Sequence, residues 1–303
     1  MRLIKESNIN FVGRRRLFFL VSGILLVLSV LSIVLRGGFN YGVDFTGGTM
    51  LQVRFSEPVG TDAVRAAVNA VSDGSASIQR DEAGDFMIRV RAKEFGEGEQ
   101  GFADRVREQF AVSFPGNEFE ILREESVGPR VSKELQGKVL LAILIGIVGI
   151  LFYVSIRFDF RFGLGAVMAL VHDTVITLGV LALFNKEITI TVIAAVLTVI
   201  GYSVNDSIVV SDRIREDVKK MRKESFMTVV NTAINQVLNR TVVTSATTLF
   251  VTVAMLILGA AAIRDFALVL TIGIVVGTYS SIFVVANSVV EWETRIPTKR
   301  GRR

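Results

Sequence analysis

The chain has 303 residues, 50% of them hydrophobic, and it carries a formal net charge of +5 with no cysteine. Its mean hydropathy of +0.51 is too high for a water-soluble domain of this length and excludes that class. The missing cysteines exclude disulfides and thiolate metal sites. Nucleic-acid binding is also not expected. The basic residues cluster at the ends of apolar runs, which is the pattern that sets the orientation of a protein in the membrane.

Six apolar runs are long enough to cross a hydrocarbon core, which needs about 20 residues. We predict transmembrane helices at 17–35, 139–156, 163–184, 188–210, 241–262 and 266–290. The first run follows a cluster of arginines, as a signal peptide would. However, its apolar stretch is too long for a signal peptide and no small-residue cleavage site follows it, so we expect a retained anchor.

Basic residues mark alternate ends of these runs. They precede the first run, separate the second from the third and the fourth from the fifth, and follow the sixth, whereas the opposite short loops hold Lys186 and Arg264. The positive-inside rule then predicts cytoplasmic tails at 1–16 and 291–303, with anionic membrane lipid as the nearest partner for the charge.

Residues 36–138 are predicted to form a small extracytoplasmic α+β domain between helices 1 and 2. Its predicted elements are strands at 50–55, 75–80, 86–91 and 119–126, helices at about 61–71 and 102–114, a turn at 82–85 and a loop at 95–101. The order β-α-β-β-α-β is the ferredoxin-like arrangement. Because the helices carry charges without any catalytic constellation, a binding or lever role is favoured over an enzymatic one.

A glycine-rich stretch enters this domain at 41–49 and includes Asp44, Gly47 and Gly48. Glycine permits backbone angles that other residues avoid, so we predict a tight structural turn against the membrane face. A phosphate-binding loop is the alternative, but the Walker spacing and its lysine are missing.

The longest loop among helices 2–6 is predicted at 212–240. Its first part continues the fourth span, and its second part has apolar residues at helical spacing after Ser225, which is a suitable helix cap. We expect this amphipathic helix to lie at the cytoplasmic interface.

An amide and a carboxylate stand side by side in the fourth run, at Asn205 and Asp206 of a motif that begins at Gly201. An aspartate at a helix centre costs roughly 2.5–3.5 kcal/mol on insertion scales and usually faces a partner or a water-filled path. Polar glue between helices is the alternative, but an amide would serve that role without a carboxylate's cost. We therefore predict a proton or ion site at Asp206.

Two further sites are predicted within the spans. Arg240 opens the fifth run, at a depth from which its side chain reaches Asp206 if the two helices are neighbours, although it also suits an ordinary positive-inside anchor. A stripe of hydroxyls follows it, which suits either a hydrated path or tight packing. Asp173 lies halfway along the third run and is predicted to be functional or structurally essential, whereas the adjacent His172 suits hydrogen-bonded packing better than metal binding.

Four motifs, in order, resemble the SecF family of bacterial protein-export membrane subunits. They are Val43–Thr49 after the first span, His172-Asp173 in the third, Gly201–Asp206 in the fourth and Asn239-Arg240-Thr241 opening the fifth. The ordered set is specific and the resemblance covers nearly the whole chain, although no single motif would suffice.

The resemblance implies a member of the RND superfamily that pairs with SecD into a twelve-helix bundle in the cell inner membrane. Such a chain assists the Sec translocon channel in moving preprotein substrates outward by using the proton motive force, and it is not an enzyme. Asp206 and Arg240 are implicated in proton passage, with a further acidic residue in SecD and a less settled role for Asp173. Protons are the coupling ion, and no other cofactor is implied.

A hypothesis follows for the coupling. Protonation of Asp206 would loosen its hold on Arg240, let the spans shift and move the extracytoplasmic domain with them. Two alternatives stay open, namely half of a proton-driven exporter of small molecules or lipids, and a non-transporting membrane scaffold. Drug exporters of this superfamily carry much larger outer loops, which argues against the first.

Overall fold

The computed structural model describes residues 7–72, 76–80, 84–90, 101–158 and 160–296. These form two compact units, one from Tyr41 to Leu140 and the other from the residues before and after it. Some predicted features lie outside the described residues: most of the 95–101 loop, the first half of the 82–85 turn, the ends of two strands at Ser75 and Arg91, and the outer parts of both tails.

The described residues contain the following helices and strands in chain order: α1 (Arg15–Leu35), β1 (Asn40–Tyr41), α2 (Val43–Thr46), β2 (Gly48–Phe55), α3 (Thr61–Ser72), β3 (Ser77–Arg80), β4 (Phe86–Val90), α4 (Phe102–Ser113), β5 (Phe119–Val127), α5 (Pro129–Arg157), α6 (Phe160–Leu183), β6 (Glu187–Ile188), α7 (Ile190–Lys220), α8 (Phe226–Leu258), α9 (Ala261–Ser280), a π-helical turn (Ser281–Val285) and α10 (Ala286–Arg295).

Six helical stretches in the described part of the chain are long and apolar enough to cross a membrane. They are α1, α5, α6, α7, α8 and the continuous stretch from Ile263 to Arg295 that contains α9, the π turn and α10. The predicted fold class, six membrane helices with one small α+β domain between the first two, is confirmed.

The α+β domain has a four-stranded antiparallel sheet in the order β3-β4-β2-β5. This is the strand order of the ferredoxin-like arrangement, with the first strand of the domain in the middle of the sheet. Leu51 and Val53 on β2 lie opposite Ile88 and Phe86 on β4. These side chains form a core with α3 and α4, in which Val68 and Phe110 are fully buried.

An ion pair between exposed Arg54 and buried Asp85 ties the middle of this sheet to the residue before β4. Asp85 is 2% exposed and accepts two hydrogen bonds from Arg54, at 2.7 and 2.8 Å, and one from Gln52 at 3.1 Å. The hydrogen bonds from Arg54 lower the pKa of Asp85 below its ordinary value of 3.8, against the opposing effect of burial.

The lowered pKa predicts an acid-sensitive domain. Asp85 stabilises the fold fully above its unfolded pKa of 3.8, and this contribution is lost as pH falls through the lower folded pKa. We expect Asp85→Asn to cost about 1–3 kcal/mol at neutral pH and to flatten the pH dependence below about 4. Thermal unfolding of a separately expressed 41–140 domain, followed by circular dichroism, measures both effects. Parallel pH curves for the two proteins would contradict this assignment.

The membrane helices pack through small residues. On α6, a Cβ added at Gly179 would overlap Ser29 of α1, and Ser32 of α1 donates a hydrogen bond to the Gly179 carbonyl at 2.7 Å. On α9, a Cβ added at Gly273 would overlap Val199 of α7. The backbones of these helix pairs therefore approach each other closely, as glycine at a membrane-helix interface allows.

The segment expected as an amphipathic interface helix is part of a longer element. α7 extends to Lys220, and α8 runs without a break from Phe226 to Leu258, with Ser225 accepting the capping hydrogen bond from the Thr228 amide. The helix predicted here, with Ser225 as its cap, is continuous with the predicted fifth span, because no glycine or proline interrupts this stretch. Its apolar face is buried against protein, in a cluster with α7, the π turn and α10.

Phe11 and Val12 of the N-terminal segment also join this cluster, although the sequence predicted only a tail there. Phe11 and Val12 are 5% and 2% exposed. Two asparagines of α8 bind the backbone of this segment: Asn231 accepts from the Phe11 and Val12 amides, and Asn235 accepts from the Ile9 amide at 2.9 Å. Both asparagines also donate to the Ile9 carbonyl.

Candidate functional site

Asp206 is buried inside the helix bundle and only weakly hydrogen-bonded. It lies on α7 and is 3% exposed. Ser245 on α8 donates to its Oδ2 at 3.4 Å, which is long for a hydroxyl and a carboxylate. Ser245 in turn accepts from Thr278 on α9 at 2.7 Å. Among the described residues Ser245 is the one donor to this carboxylate, which therefore keeps unused hydrogen-bonding capacity.

Arg240 does not form the expected pair with Asp206. Its charge is close enough to attract the carboxylate, but no ion pair within 4.0 Å joins the two in the described part of the chain. Ser245 lies five residues further along α8, or about 140° around the helix. The face of α8 that meets Asp206 therefore carries Ser245, while Arg240 is exposed on another face.

Arg240 belongs to an exposed polar face that α7 and α8 share. We define this face by Thr198, Gly201 and Asn205 on α7 and Arg240 and Thr244 on α8, all of which are exposed. The two threonine hydroxyls bond to carbonyls of their own helices. The Asn205 amide and the Arg240 guanidinium have no hydrogen-bond partner among the described residues, and a Cβ added at Gly201 would meet nothing within 4 Å.

The hydroxyl stripe that follows Arg240 divides between two faces of α8. Thr241, Ser245 and Thr252 are buried in the bundle, whereas Thr244 is exposed and Thr248 is half-buried. Of the buried members, Ser245 is the one that bonds to α7, at Asp206, and to α9, at Thr278.

Asp173, on α6, has a different environment from that of Asp206. It is 1% exposed, and its Oδ2 accepts from Ser203 on α7 at 2.6 Å and from Ser280 on α9 at 2.7 Å. Its Oδ1 lies 2.9 Å from Nδ1 of His172, which stacks on Tyr279 with ring centroids 6.0 Å apart. We call Asp173, His172, Ser203 and Ser280 the Asp173 cluster.

The glycine turn before the α+β domain has the backbone geometry that the sequence predicted. Gly47 has φ 68° and ψ 153°, and Gly48 has φ 131°, while Asp44 lies in the first turn of the short helix α2. Both glycines are buried, and Gln136 donates to the Phe45 carbonyl at 2.6 Å. The turn is therefore an ordered structural element that only glycine fits at position 47.

We expect Gly47→Ala to destabilise the α+β domain by about 1–3 kcal/mol, because its φ and ψ lie in a region that is essentially restricted to glycine. Circular dichroism melting of the 41–140 domain measures this cost. Gly60→Ala is a matched control, since an added Cβ there meets nothing within 4 Å and the backbone has no positive φ. Equal melting temperatures for the two variants would contradict the backbone argument.

Several residues of these sites were not predicted from sequence. Ser203 and Ser245 lie in stretches that the sequence analysis singled out, but neither was assigned a role. Thr278 and Ser280 gave no signal, because a serine or threonine in a span usually bonds to its own helix. Among the described residues no group of three histidine, aspartate or glutamate side chains could hold a metal ion.

The fold and these sites define a polytopic membrane protein with a small ferredoxin-like domain after its first span and a buried, weakly bonded carboxylate in its helix bundle. Two family models match this chain. "Protein export membrane protein SecD/SecF, C-terminal" matches residues 106–295, and "SecD/SecF GG Motif" matches residues 34–59, which include Gly47 and Gly48.

The chain belongs to the SecD/SecF family, as the sequence motifs predicted. A protein translocase subunit SecF from Calditerrivibrio nitroreducens is 42% identical over 95% of this chain and 96% of that protein. A protein translocase subunit SecDF from Thermus thermophilus is 40% identical over 96% of this chain and 39% of that protein.

The crystal structure of SecDF from Thermus thermophilus, described as a translocon-associated membrane protein, has a similar fold. It matches with a TM-score of 0.84 and 38% identity over 96% of this chain. This chain spans 39% of the length of that crystallised chain.

Proposed function

We propose that this chain is the SecF-type subunit of a SecD–SecF complex in the bacterial cytoplasmic membrane, where it uses the proton motive force to assist the Sec translocon in moving preproteins. The names of its full-length relatives support a translocase subunit, and the solved SecDF supports association with a translocon. Protons are the only coupling ion in this proposal. The observation that carries the coupling is the buried, weakly bonded carboxylate of Asp206.

A weakly bonded carboxylate suits a coupling role. Its charged form is costly to bury, and one long hydrogen bond compensates for little of that cost, so gain or loss of a proton changes the packing that is most stable. Each proton that crosses 100 mV supplies about 2.3 kcal/mol, which biases a two-state equilibrium roughly fifty-fold. In this proposal protonation of Asp206 changes its contacts with Ser245 and its attraction to Arg240.

The exposed polar face supports a SecD partner. An amide and a guanidinium without partners are costly against lipid, so another protein is the favoured cover for Asn205 and Arg240. The SecDF relatives join both subunits in one chain, which supports SecD as that partner. A carboxylate on the SecD side would pair with Arg240 and complete the proton path, and the open position at Gly201 would admit a helix close to α7.

We propose the orientation in which both termini are cytoplasmic. Because the chain has no cysteine, single cysteines report it directly. We expect Lys223→Cys, in the loop between α7 and α8, to react with an impermeant maleimide in inverted vesicles only. Asp265→Cys, near the start of α9, should react in spheroplasts only. The reverse pattern would invert the topology and move the α+β domain to the cytoplasm.

The function is tested with inverted vesicles from cells depleted of their own SecD and SecF, supplied with SecD alone or with SecD and this chain. The measurement is movement of a preprotein that ATP has partly translocated, with the proton gradient intact or collapsed by an uncoupler. We expect this chain to restore a gradient-dependent component. If this chain restored preprotein movement equally without a gradient, the result would support the non-transporting scaffold instead. If it caused uptake of small lipophilic cations without an effect on preprotein movement, the result would support an exporter.

A further inference from the structure

Two buried carboxylates of the bundle, those of Asp173 and Asp206, differ in how completely they are hydrogen-bonded. The Asp173 carboxylate has three side-chain contacts at 2.6, 2.7 and 2.9 Å, to Ser203, Ser280 and His172. Asp206 has one, at 3.4 Å. Both oxygens of Asp173 therefore have close hydrogen-bond partners on three different residues. Its environment is that of a fixed structural acceptor, whereas that of Asp206 permits change.

The Asp173 cluster binds the two helices that surround Asp206. Ser203 lies on α7 three residues before Asp206, so it fixes the turn from which Asp206 projects. Ser280 lies on α9 two residues after Thr278, which bonds to the serine that contacts Asp206. Asp173 itself lies on α6, and no hydrogen bond joins it to Asp206 or Ser245 in the described part of the chain, so its hydrogen bonds reach that site through α7 and α9.

The two helices that the Asp173 cluster joins, α7 and α9, are also closely packed against each other. A Cβ added at Gly277 would lie 3.1 Å from the Ser203 Cβ and 3.6 Å from the Asp173 Oδ2. One helical turn away, a Cβ at Gly273 would overlap Val199. The α7 and α9 backbones thus approach each other closely at the cluster and one turn before it, which opposes sliding of one helix along the other.

We propose that Asp173 is a positioning residue: through Ser203 and Ser280 it fixes α7 against α9 and so sets the place of Asp206, and it does not itself carry the proton. This inference rests on the proposed function of Asp206. The two carboxylates then have separate roles. Asp173 keeps α7 and α9 in place, and Asp206 and α8 change their contacts relative to these helices.

The positional part is tested without a proton gradient. Ser245→Cys places one thiol beside Asp206 in a chain that otherwise has none, and its reaction with a membrane-permeant maleimide reports the packing there. In membranes that contain the SecD partner, we expect Asp173→Asn to change the labelling rate by at least about twofold. The paired variant Ser203→Ala/Ser280→Ala should change the labelling rate by the same factor. This variant provides the test if Asp173→Asn fails to accumulate in the membrane.

Ser281→Ala is the matched control, because Ser281 is as buried as Ser280 but donates within its own helix, to the Thr278 carbonyl. It should label at the parental rate. An unchanged rate in both cluster variants, or the same change in the control, would overturn the proposal.

The functional part uses gradient-dependent preprotein movement. We expect Asp173→Asn to lower it roughly three- to tenfold, with the residual activity still rising with the gradient. The paired serine variant should cause the same loss, and combining it with Asp173→Asn should add little to that loss. Ser203→Thr, which keeps the hydroxyl, should retain more activity than Ser203→Ala. Complete loss of gradient dependence in Asp173→Asn alone, with the serine variant unaffected, would show that Asp173 carries the proton. If Asp206→Asn has no effect, the proposed function fails, while the labelling result still decides whether Asp173 positions Asp206.

Discussion

Asp206→Asn is expected to abolish the gradient-dependent part of preprotein movement while leaving the ATP-driven part and co-purification with SecD unchanged. Asparagine has the shape of aspartate and still accepts the hydrogen bond from Ser245, but it cannot take up or release a proton. The loss of one proton's coupling at 100 mV removes a bias of roughly fifty-fold. The measurement is the initial rate of movement in inverted vesicles as a function of the imposed gradient.

Asp212→Asn is the control for Asp206. It removes a carboxylate from the same helix, but Asp212 is exposed and its ion pair with Arg157 is long, at 3.5 Å. We expect parental activity from this variant. If Asp206→Asn kept its response to the gradient, the carboxylate would be packing glue and the scaffold alternative would replace the transporter. Loss of SecD binding would instead assign Asp206 to assembly.

Arg240→Gln is expected to lower gradient-dependent movement at least about tenfold, which corresponds to roughly 1.4 kcal/mol. The reason is electrostatic: the guanidinium is the cation that attracts the Asp206 carboxylate, and in the proposal it also pairs with SecD. Arg240→Lys keeps the charge but loses the planar fork, so we expect an intermediate rate. The same vesicle assay at matched protein abundance measures both variants.

Arg222→Gln is the control for Arg240, since it removes an exposed positive charge from the loop between α7 and α8, where its guanidinium donates to the Lys219 carbonyl. Equal losses in both variants would reassign Arg240 to a topology or lipid-binding role. A full rate in Arg240→Lys would show that charge alone suffices and that no bidentate pair forms.

The sequence predicts the elements of this fold because each depends on local pattern. Apolar length identifies the six spans, and alternation together with the β-α-β-β-α-β order identifies the domain. The burial of Asp206 and Asp173 follows from the cost of a carboxylate in a membrane-length segment, which allows no exposure to lipid. The glycine turn is predicted because few residues other than glycine adopt a positive φ.

Contacts between distant residues could not be predicted in this way. Ser203 and Ser280 are 30 and 107 residues from Asp173, and a buried hydroxyl in a span has no sequence signature that separates it from one bonded to its own helix. Depth alone indicated that Asp206 and Arg240 could meet if their two helices were neighbours. Depth in the membrane does not show toward which side of the helix a residue points. Arg240 and Ser245 are separated by about 140° around the axis of α8, and this angle decides which side chain meets Asp206.

The asparagine contacts to the N-terminal segment have a consequence for biosynthesis. The bond from the Ile9 amide to Asn235 spans 226 residues of chain, so the first described residues cannot dock until the fifth span has been made. At about 5–20 residues per second, this delay is roughly 10–45 seconds. During that time the amides of Ile9, Phe11 and Val12 lack these partners. Docking of this segment therefore requires that α8 has already been made.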